Sequence, residues 1–324
     1  MNGLDVVTFG EVMGMFVAAD PGPLESVVTY TRALAGAETN VAVGLARLGH
    51  RAGWIGRVGR DPLGSYAIAE LAASGVDTAA VTIDADARTG FQLKSRADGG
   101  DPEVVYFRDG SAGSRLAASS ATDTYVASAR HLHVTGIPLA LSDTARAFTM
   151  RAVATARSAG MTVSFDPNLR PSLWASPQEM VSVTNEVAAS ADWVLPGLGE
   201  GRILTGRPDA DADEIARFYL ERGARRVAVK AGACGASLHT ETGRWGRGVF
   251  PIRVVDTVGA GDGFAVGLIS AHLDGLDVER ALERAAAIGA LATTSSGDKD
   301  GLPDRERLEE FLATSAAPLA EAAL

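Results

Sequence analysis

Short apolar runs closed by glycine alternate along this chain with longer segments of helical period. Val6-Val7-Thr8-Phe9-Gly10 reads as a first buried strand. Between Ala37 and Leu48, Val41, Leu45 and Leu48 recur at helical spacing, and Gly49 supplies the stop. Residues 52–58 predict a strand and 62–74 a helix ended by Gly75. The pattern repeats with strands at 131–135, 162–165, 193–195 and 226–230, and helices at 142–158, 177–189 and 211–222. From Asp277 the chain reads as mostly helical, with a frayed end over 316–324. Strands alternating with helices predict βαβ units and a mostly parallel α/β sheet covered on both faces. In such sheets ligands sit beyond the carboxyl ends of the strands.

Two stretches break the alternation. Residues 12–32 are extended without a helical period, and 89–96 and 103–108 read as two strands joined by a loose loop over 97–101. These pieces, about 12–32 and 88–110, predict a small β-sheet lid on one α/β domain spanning 1–324. Two edge strands of the main sheet are the other reading. Exposed strand edges invite pairing, so a homo-oligomer formed through the lid is expected.

Composition narrows the function. Of 324 residues 46% are hydrophobic and 22% charged, which excludes wholesale disorder. The net charge is −10 with no basic stripe, so a nucleic-acid partner is not expected. A few local arginines could still bind an anionic substrate. The single cysteine, Cys234, allows neither an internal disulfide nor a Cys-rich metal site. The first residues lack a basic, then apolar, leader, and no apolar run reaches ~18 residues. A cytoplasmic protein without a membrane partner is the expectation. His131 and His133 alternate on a strand without acidic neighbours and read as structural.

The most informative segment is Val254-Val255-Asp256-Thr257-Val258-Gly259-Ala260-Gly261-Asp262-Gly263-Phe264, with a helix over 264–273. Small residues at 259, 260 and 261 let backbone N–H groups approach a ligand, and the helix dipole adds positive potential. Such a turn can serve as an anion hole, with Asp262 placed to accept a hydroxyl proton. Taken alone, an Asp at a helix start is also an ordinary cap. Gly59 to Gly64 has Walker spacing, but Ser65-Tyr66 follows, so it is not a P-loop.

Context decides between these readings. Asp256 to Phe264 resembles the second signature of the ribokinase-like (PfkB) carbohydrate kinases. Gly36-Ala37-Glu38-Thr39-Asn40, Leu45-Ala46-Arg47-Leu48-Gly49 and Val58-Gly59-Arg60-Asp61-Pro62-Leu63-Gly64 resemble the first. The resemblance implies a three-layer α/β/α sandwich with a β lid, using ATP and Mg2+ to phosphorylate a sugar hydroxyl. It makes Asp262 the general base and the Gly259, Ala260 and Gly261 amides the stabilisers of transition-state charge. On the nucleotide side it assigns Lys230, Gly232 and Gly235 of a strand-end turn, with Ala287 and Ala290 on a later helix. The turn reads equally as an ordinary β-turn, and the alanines as helix packing. The family's N-x-x-E appears as Gly197-Leu198-Gly199-Glu200, leaving Glu200 to reach Mg2+ through water. Asp256 and Thr257 match a monovalent-cation loop (K+) of some relatives, with strand-end capping as the other reading.

Within the family, Asp166-Pro167-Asn168-Leu169-Arg170 with Leu173-Trp174, and Tyr106-Phe107-Arg108, are similar to segments of 2-keto-3-deoxygluconate kinases. Arg108 and Arg170 could grip a sugar-acid carboxylate by bidentate hydrogen bonds. Tyr106 and Arg108 lie on one face of their strand. Gly36, Asn40, Gln92 and Asp298 resemble further sugar contacts. Ala35 and Gln92 depart from the usual pattern. The implied reaction is phosphorylation of 2-keto-3-deoxygluconate to its 6-phosphate. A fructokinase, ribokinase or 5-dehydro-2-deoxygluconokinase is the rival, and a non-catalytic sugar or nucleotide sensor stands outside the class.

Overall fold

A computed structural model of the protein describes residues 3–96 and 102–315; the loop expected over 97–101 and the frayed end expected over 316–324 lie outside the described residues. The first half runs β1 (Leu4–Phe9), β2 (Met13–Ala18), β3 (Tyr30–Ala35), α1 (Ala37–Arg47), β4 (Ala52–Gly59), α2 (Pro62–Ala73), β5 (Val81–Asp84), β6 (Phe91–Lys94) and β7 (Val104–Phe107). Next come α3 (Ser120–Ala127), β8 (Ala129–Thr135), α4 (Ile137–Leu141), α5 (Asp143–Ser158), β9 (Thr162–Asp166), α6 (Pro177–Ala188) and β10 (Trp193–Val194). The remainder is α7 (Leu198–Thr205), α8 (Ala212–Leu220), β11 (Arg226–Lys230), β12 (Ala236–Thr240), β13 (Gly243–Arg247), α9 (Ala260–Leu273), α10 (Val278–Ala292) and α11 (Arg305–Thr314).

The large sheet has the order β13-β12-β11-β10-β9-β8-β1-β4-β5. It is parallel from β11 to β5, and β12 and β13 add antiparallel strands at one edge. Its apolar strands are sorted residue by residue between two cores, as the pleat requires. Val6 faces the core built with α1, α9 and α10, and Val7 faces the core built with α5, α6 and α8. Ala228 and its neighbours Val227 and Val229 divide in the same way. Helices therefore cover both faces, giving the ribokinase-like three-layer α/β/α architecture.

The two irregular stretches form a second sheet, β3-β2-β6-β7, rather than edges of the first. β2 pairs antiparallel with β3 and parallel with β6, and β6 pairs antiparallel with β7. The lid reaches Ala35, three residues past the expected boundary, and leads straight into α1. Gly36 makes that corner at φ 152°, where an added Cβ would lie 2.7 Å from the Glu11 carbonyl oxygen. Among the described residues, no helix is long and apolar enough to cross a membrane.

Candidate active site

Glu11 follows β1, Asp166 ends β9 and Lys230 ends β11, so three charged side chains gather at the carboxyl edge of the parallel sheet. They border a cavity of about 300 Å³ roofed by the lid. Gly36, Glu38 and Asn40 enter it from the start of α1; Gln92, Lys94, Tyr106 and Arg108 from the lid; Asn168 and Arg170 from the loop after β9; Glu200 from the first turn of α7; and Gly259, Gly261 and Asp262 from the start of α9.

The turn before α9 has the geometry its glycines predict. Gly259 is the N-cap at φ 84°, and a Cβ there would fall 2.5 Å from the Asp298 carbonyl oxygen. Among the described residues no side chain caps this helix, and the Ala260 N–H reaches only the Thr257 carbonyl, at a long 3.4 Å, so the helix start can meet an anion. Asp262, only 9% exposed, stands in the first turn and accepts a 2.8 Å hydrogen bond from Asn40 Nδ2. Burial pushes its carboxyl pKa up to about 7, and the nearby Asp166 and Glu38 charges reinforce the shift while Asn40 and Lys230 oppose it. A carboxylate tuned near neutrality beside an uncapped helix start suits general-base work.

Lys230 Nζ sits 2.5 Å from Asp166 Oδ2, and a Cβ on Gly261 would be 3.4 Å from the same nitrogen. Burial alone would lower this ammonium's pKa, but Asp166 and Glu200 hold it above the usual lysine value. Its positive charge thus faces the amides of the α9 start. Glu200 accepts 2.7 Å bonds from the backbone N–H groups of Gly197 and Leu169. It therefore caps α7 while still bordering the cavity. Gly232 and Gly235 shape the turn after β11 at φ 58° and 92°, and neither lines the cavity. Ala287 is wholly buried in the core and Ala290 packs against it, also away from the cavity.

On the lid, Gln92 is buried opposite Tyr106, a residue 47% exposed. Arg108 Nε donates to Glu11 Oε2 at 2.8 Å, and its Nη2 donates to the same oxygen. Glu11 Oε1 accepts from Ser111 Oγ. Arg108, expected to be free for a substrate, thus has an acidic partner that sequence did not disclose. Arg170 donates only to the carbonyls of Asn168 and Leu169 among the described residues. Asp256 and Asp298 both accept from the ammonium of Lys94, at 2.6 and 2.7 Å. Asp298, expected at the sugar, does line the cavity, and Asp256, expected at a monovalent cation or as a strand-end cap, also accepts from the Val258 N–H. Thr257 lines the cavity.

The profile of the pfkB family of carbohydrate kinases matches residues 4–305. The chain belongs to that family. It is 50% identical to the 2-dehydro-3-deoxygluconokinase of Bacillus subtilis (strain 168) over 95% of both chains. Among solved structures, a PfkB protein from Polaromonas sp. JS666 aligns with a TM-score of 0.85 at 48% identity, covering 94% of this chain and 99% of that one. A putative ribokinase II from E. coli in complex with ATP and Mg2+ aligns at 0.89 and 28% identity, covering 96% and 99%. This pfkB kinase carries four cavity charges for which the sequence suggested no role: Glu11, Glu38, Lys94 and Asp166. A usable signal existed for Lys94, because Gln92 and Lys94 share one face of a lid strand. Glu11 left none, since an acid next to a strand end is ordinarily solvated, whereas Glu38 and Asp166 stood inside the quoted motifs without a role.

Proposed function

We propose that this kinase transfers the γ-phosphate of ATP to the 6-hydroxyl of 2-keto-3-deoxygluconate, the sugar acid also called 2-dehydro-3-deoxygluconate. The observation that carries the reading is the convergence of Asp262, the uncapped α9 start and two arginines on one cavity. Asp262 removes the proton as the sugar oxygen bonds to the γ-phosphorus. The bond from that phosphorus to the bridging oxygen breaks, and ADP leaves. The amides of Gly259, Ala260 and Gly261 meet the charge on the transferred group, and Lys230 neutralises it from the opposite side. Asn40 Oδ1 is buried, has no partner among the described residues and borders the cavity, so it suits a hydrogen bond from a sugar hydroxyl. Gly36, Gln92 and Tyr106 contribute the remaining wall.

Mg2+ suits this wall. The ion keeps several waters and takes most of its other ligands from phosphate. Asp166 and Glu200 border the cavity close to Lys230, where each could hold such a water. When bound, Mg2+ neutralises the β- and γ-phosphate oxygens. Gly232 and Gly235 would support the nucleotide indirectly, by setting the turn that follows Lys230, and Ala287 and Ala290 by packing α10 against α9.

A neutral sugar such as fructose or ribose is the competing substrate, and the Arg108–Glu11 pair favours it by spending one arginine internally. Coupled-assay turnover on a panel of sugar acids and neutral sugars tests the proposal. Preference for a neutral sugar removes the acid assignment, and no turnover on any favours a sensor. The reaction belongs in the cytoplasm, with its ATP. The lid edge also supports pairing of two copies: among the described residues β7 pairs with β6 alone, and Tyr106 and Phe107 are each 47% exposed. Light scattering that returns a monomer would remove this part.

A further inference from the structure

Lys94 is the last residue of the lid strand β6, yet its side chain is 1% exposed. Its ammonium contacts Asp256 Oδ2 at 2.6 Å, Asp298 Oδ1 at 2.7 Å and the Ser296 carbonyl oxygen at 3.2 Å. A lysine ammonium has three donors, and all three are used. The acceptors belong to two segments that enclose the anion-hole turn. Asp256 Oδ1 accepts from the Val258 N–H at 2.9 Å, one residue before Gly259. The Val255 and Asp256 N–H groups donate to the Thr293 carbonyl, which joins this segment to the loop bearing Ser296 and Asp298. The Asp298 carbonyl in turn lies against Gly259.

Two buried carboxylates this close require a cation between them. The requirement is met from within the chain. Burial alone would lower the amine's pKa, but Asp298 and Asp256 outweigh it and hold it above the usual lysine value. We infer that Lys94 is a built-in cation: reaching down from the lid, it holds the anion-hole turn in its working shape, so that catalysis needs no bound monovalent metal ion. Lys94 is a positioning residue, since it acts through the turn and through Asp256 and Asp298. The lid origin of the lysine also ties the turn to the placement of Gln92, two residues earlier on the same face.

The inference deepens the proposed phosphotransfer and rests on it, so its test has one arm that reads activity and one that does not. Wild-type kcat should agree within about twofold in potassium chloride and in tetramethylammonium chloride at matched ionic strength. Lys94→Ala should lose roughly tenfold or more in kcat in tetramethylammonium, with a smaller change in KM for ATP. Potassium or ammonium ions, small enough to enter the vacated space, should restore much of that loss. In thermal melting, potassium should raise the Tm of Lys94→Ala above its value in tetramethylammonium and leave the wild type unmoved. Activation of the wild type by potassium of about tenfold would overturn the inference. So would a folded Lys94→Ala that is fully active without potassium, or one that no small cation rescues. If that variant does not fold, the wild-type salt comparison decides alone. A wild type without turnover on any sugar sinks the kinase reading, and the melting comparison then decides the role of Lys94.

Discussion

Asn40 and Asp262 stand 222 residues apart in the chain, yet Asn40 Nδ2 donates a 2.8 Å hydrogen bond to Asp262 Oδ2. The contact joins the first turn of α1 to the first turn of α9, the two helices that carry the family's two signatures. It orients the base and favours its ionised form. Replacing Asp262 with Asn keeps the shape and removes the proton acceptor. Asp262→Asn should therefore lower kcat by about 10²–10⁴, the usual range for a lost general base, with little change in either KM. Steady-state kinetics with both substrates varied checks this split.

The same carboxyl sets a pH profile. Its pKa is raised to about 7, chiefly by burial. The base must be ionised to work, so kcat/KM should rise with pH up to about 7 and level off above it. Asn40→Ala removes a bond that favours the charged form, so the inflection should move to higher pH. An unchanged inflection would mean that another group titrates.

Glu38 supplies a stability test independent of turnover. It is buried, accepts from Thr135 Oγ1, and burial pushes its pKa to about 7. A carboxyl with a raised folded-state pKa binds protons more tightly in the native state. Its contribution is complete below the unfolded value of 4.5 and is lost as pH rises towards 7. Glu38→Gln should therefore gain stability over wild type at pH 8 relative to the comparison at pH 5. Urea unfolding at the two pH values reads the difference.

The order of strands and helices was legible because apolar period and glycine stops record local geometry, and most of the longer helices fall within a residue or two of expectation. α9 instead starts at Ala260, four residues before the expected Phe264, because its glycine-rich first turn carries no apolar period. What escaped was short or depended on distant partners. β5 has four residues, too few for a period to emerge, whereas β10, though only two residues long, falls within the expected 193–195. β12 reads Ala-Ser-Leu-His-Thr, with no apolar run, although four of its five residues are buried. In the site, Asp262 and its glycines lie within one contiguous motif and could be read directly. The partners of Asp256, Asp298 and Arg108 come from chain segments far away, and pairings of that kind leave no local pattern. Lys94 shares the face of Gln92 on its strand, but nothing local announced the two acids on it.

The arginines can be separated by what already holds them. Arg170 donates to backbone carbonyls and leaves no acid uncompensated when removed. Arg170→Leu should raise KM for a sugar acid by roughly ten- to a hundredfold, about 1.4–2.8 kcal/mol, and leave a neutral sugar nearly unaffected. Arg108 differs, because its loss would strand the buried Glu11 charge. Arg108→Met should lower Tm as well as sugar affinity, and adding Glu11→Gln should recover the Tm but not the affinity. Recovery of both would assign Arg108 to lid structure alone.

The anion-hole turn offers a comparison between two glycines two residues apart. Gly259 needs its positive φ of 84°, and an added methyl would meet the Asp298 carbonyl oxygen at 2.5 Å. Gly259→Ala should therefore destabilise the fold by about 1–3 kcal/mol, from backbone strain and the clash together. Gly261 is not at positive φ, and its methyl would lie 3.4 Å from Lys230 Nζ, close to ordinary contact. Gly261→Ala should fold almost normally. The added carbon would nevertheless occupy space between the amides and the Lys230 ammonium, where the transferred phosphate must pass. Thermal melting together with kcat should find Gly259→Ala impaired in both, and Gly261→Ala impaired in kcat alone. Equal melting temperatures for the two variants would show that the turn is not held against Asp298, and normal turnover by Gly261→Ala would move phosphate transfer away from these amides.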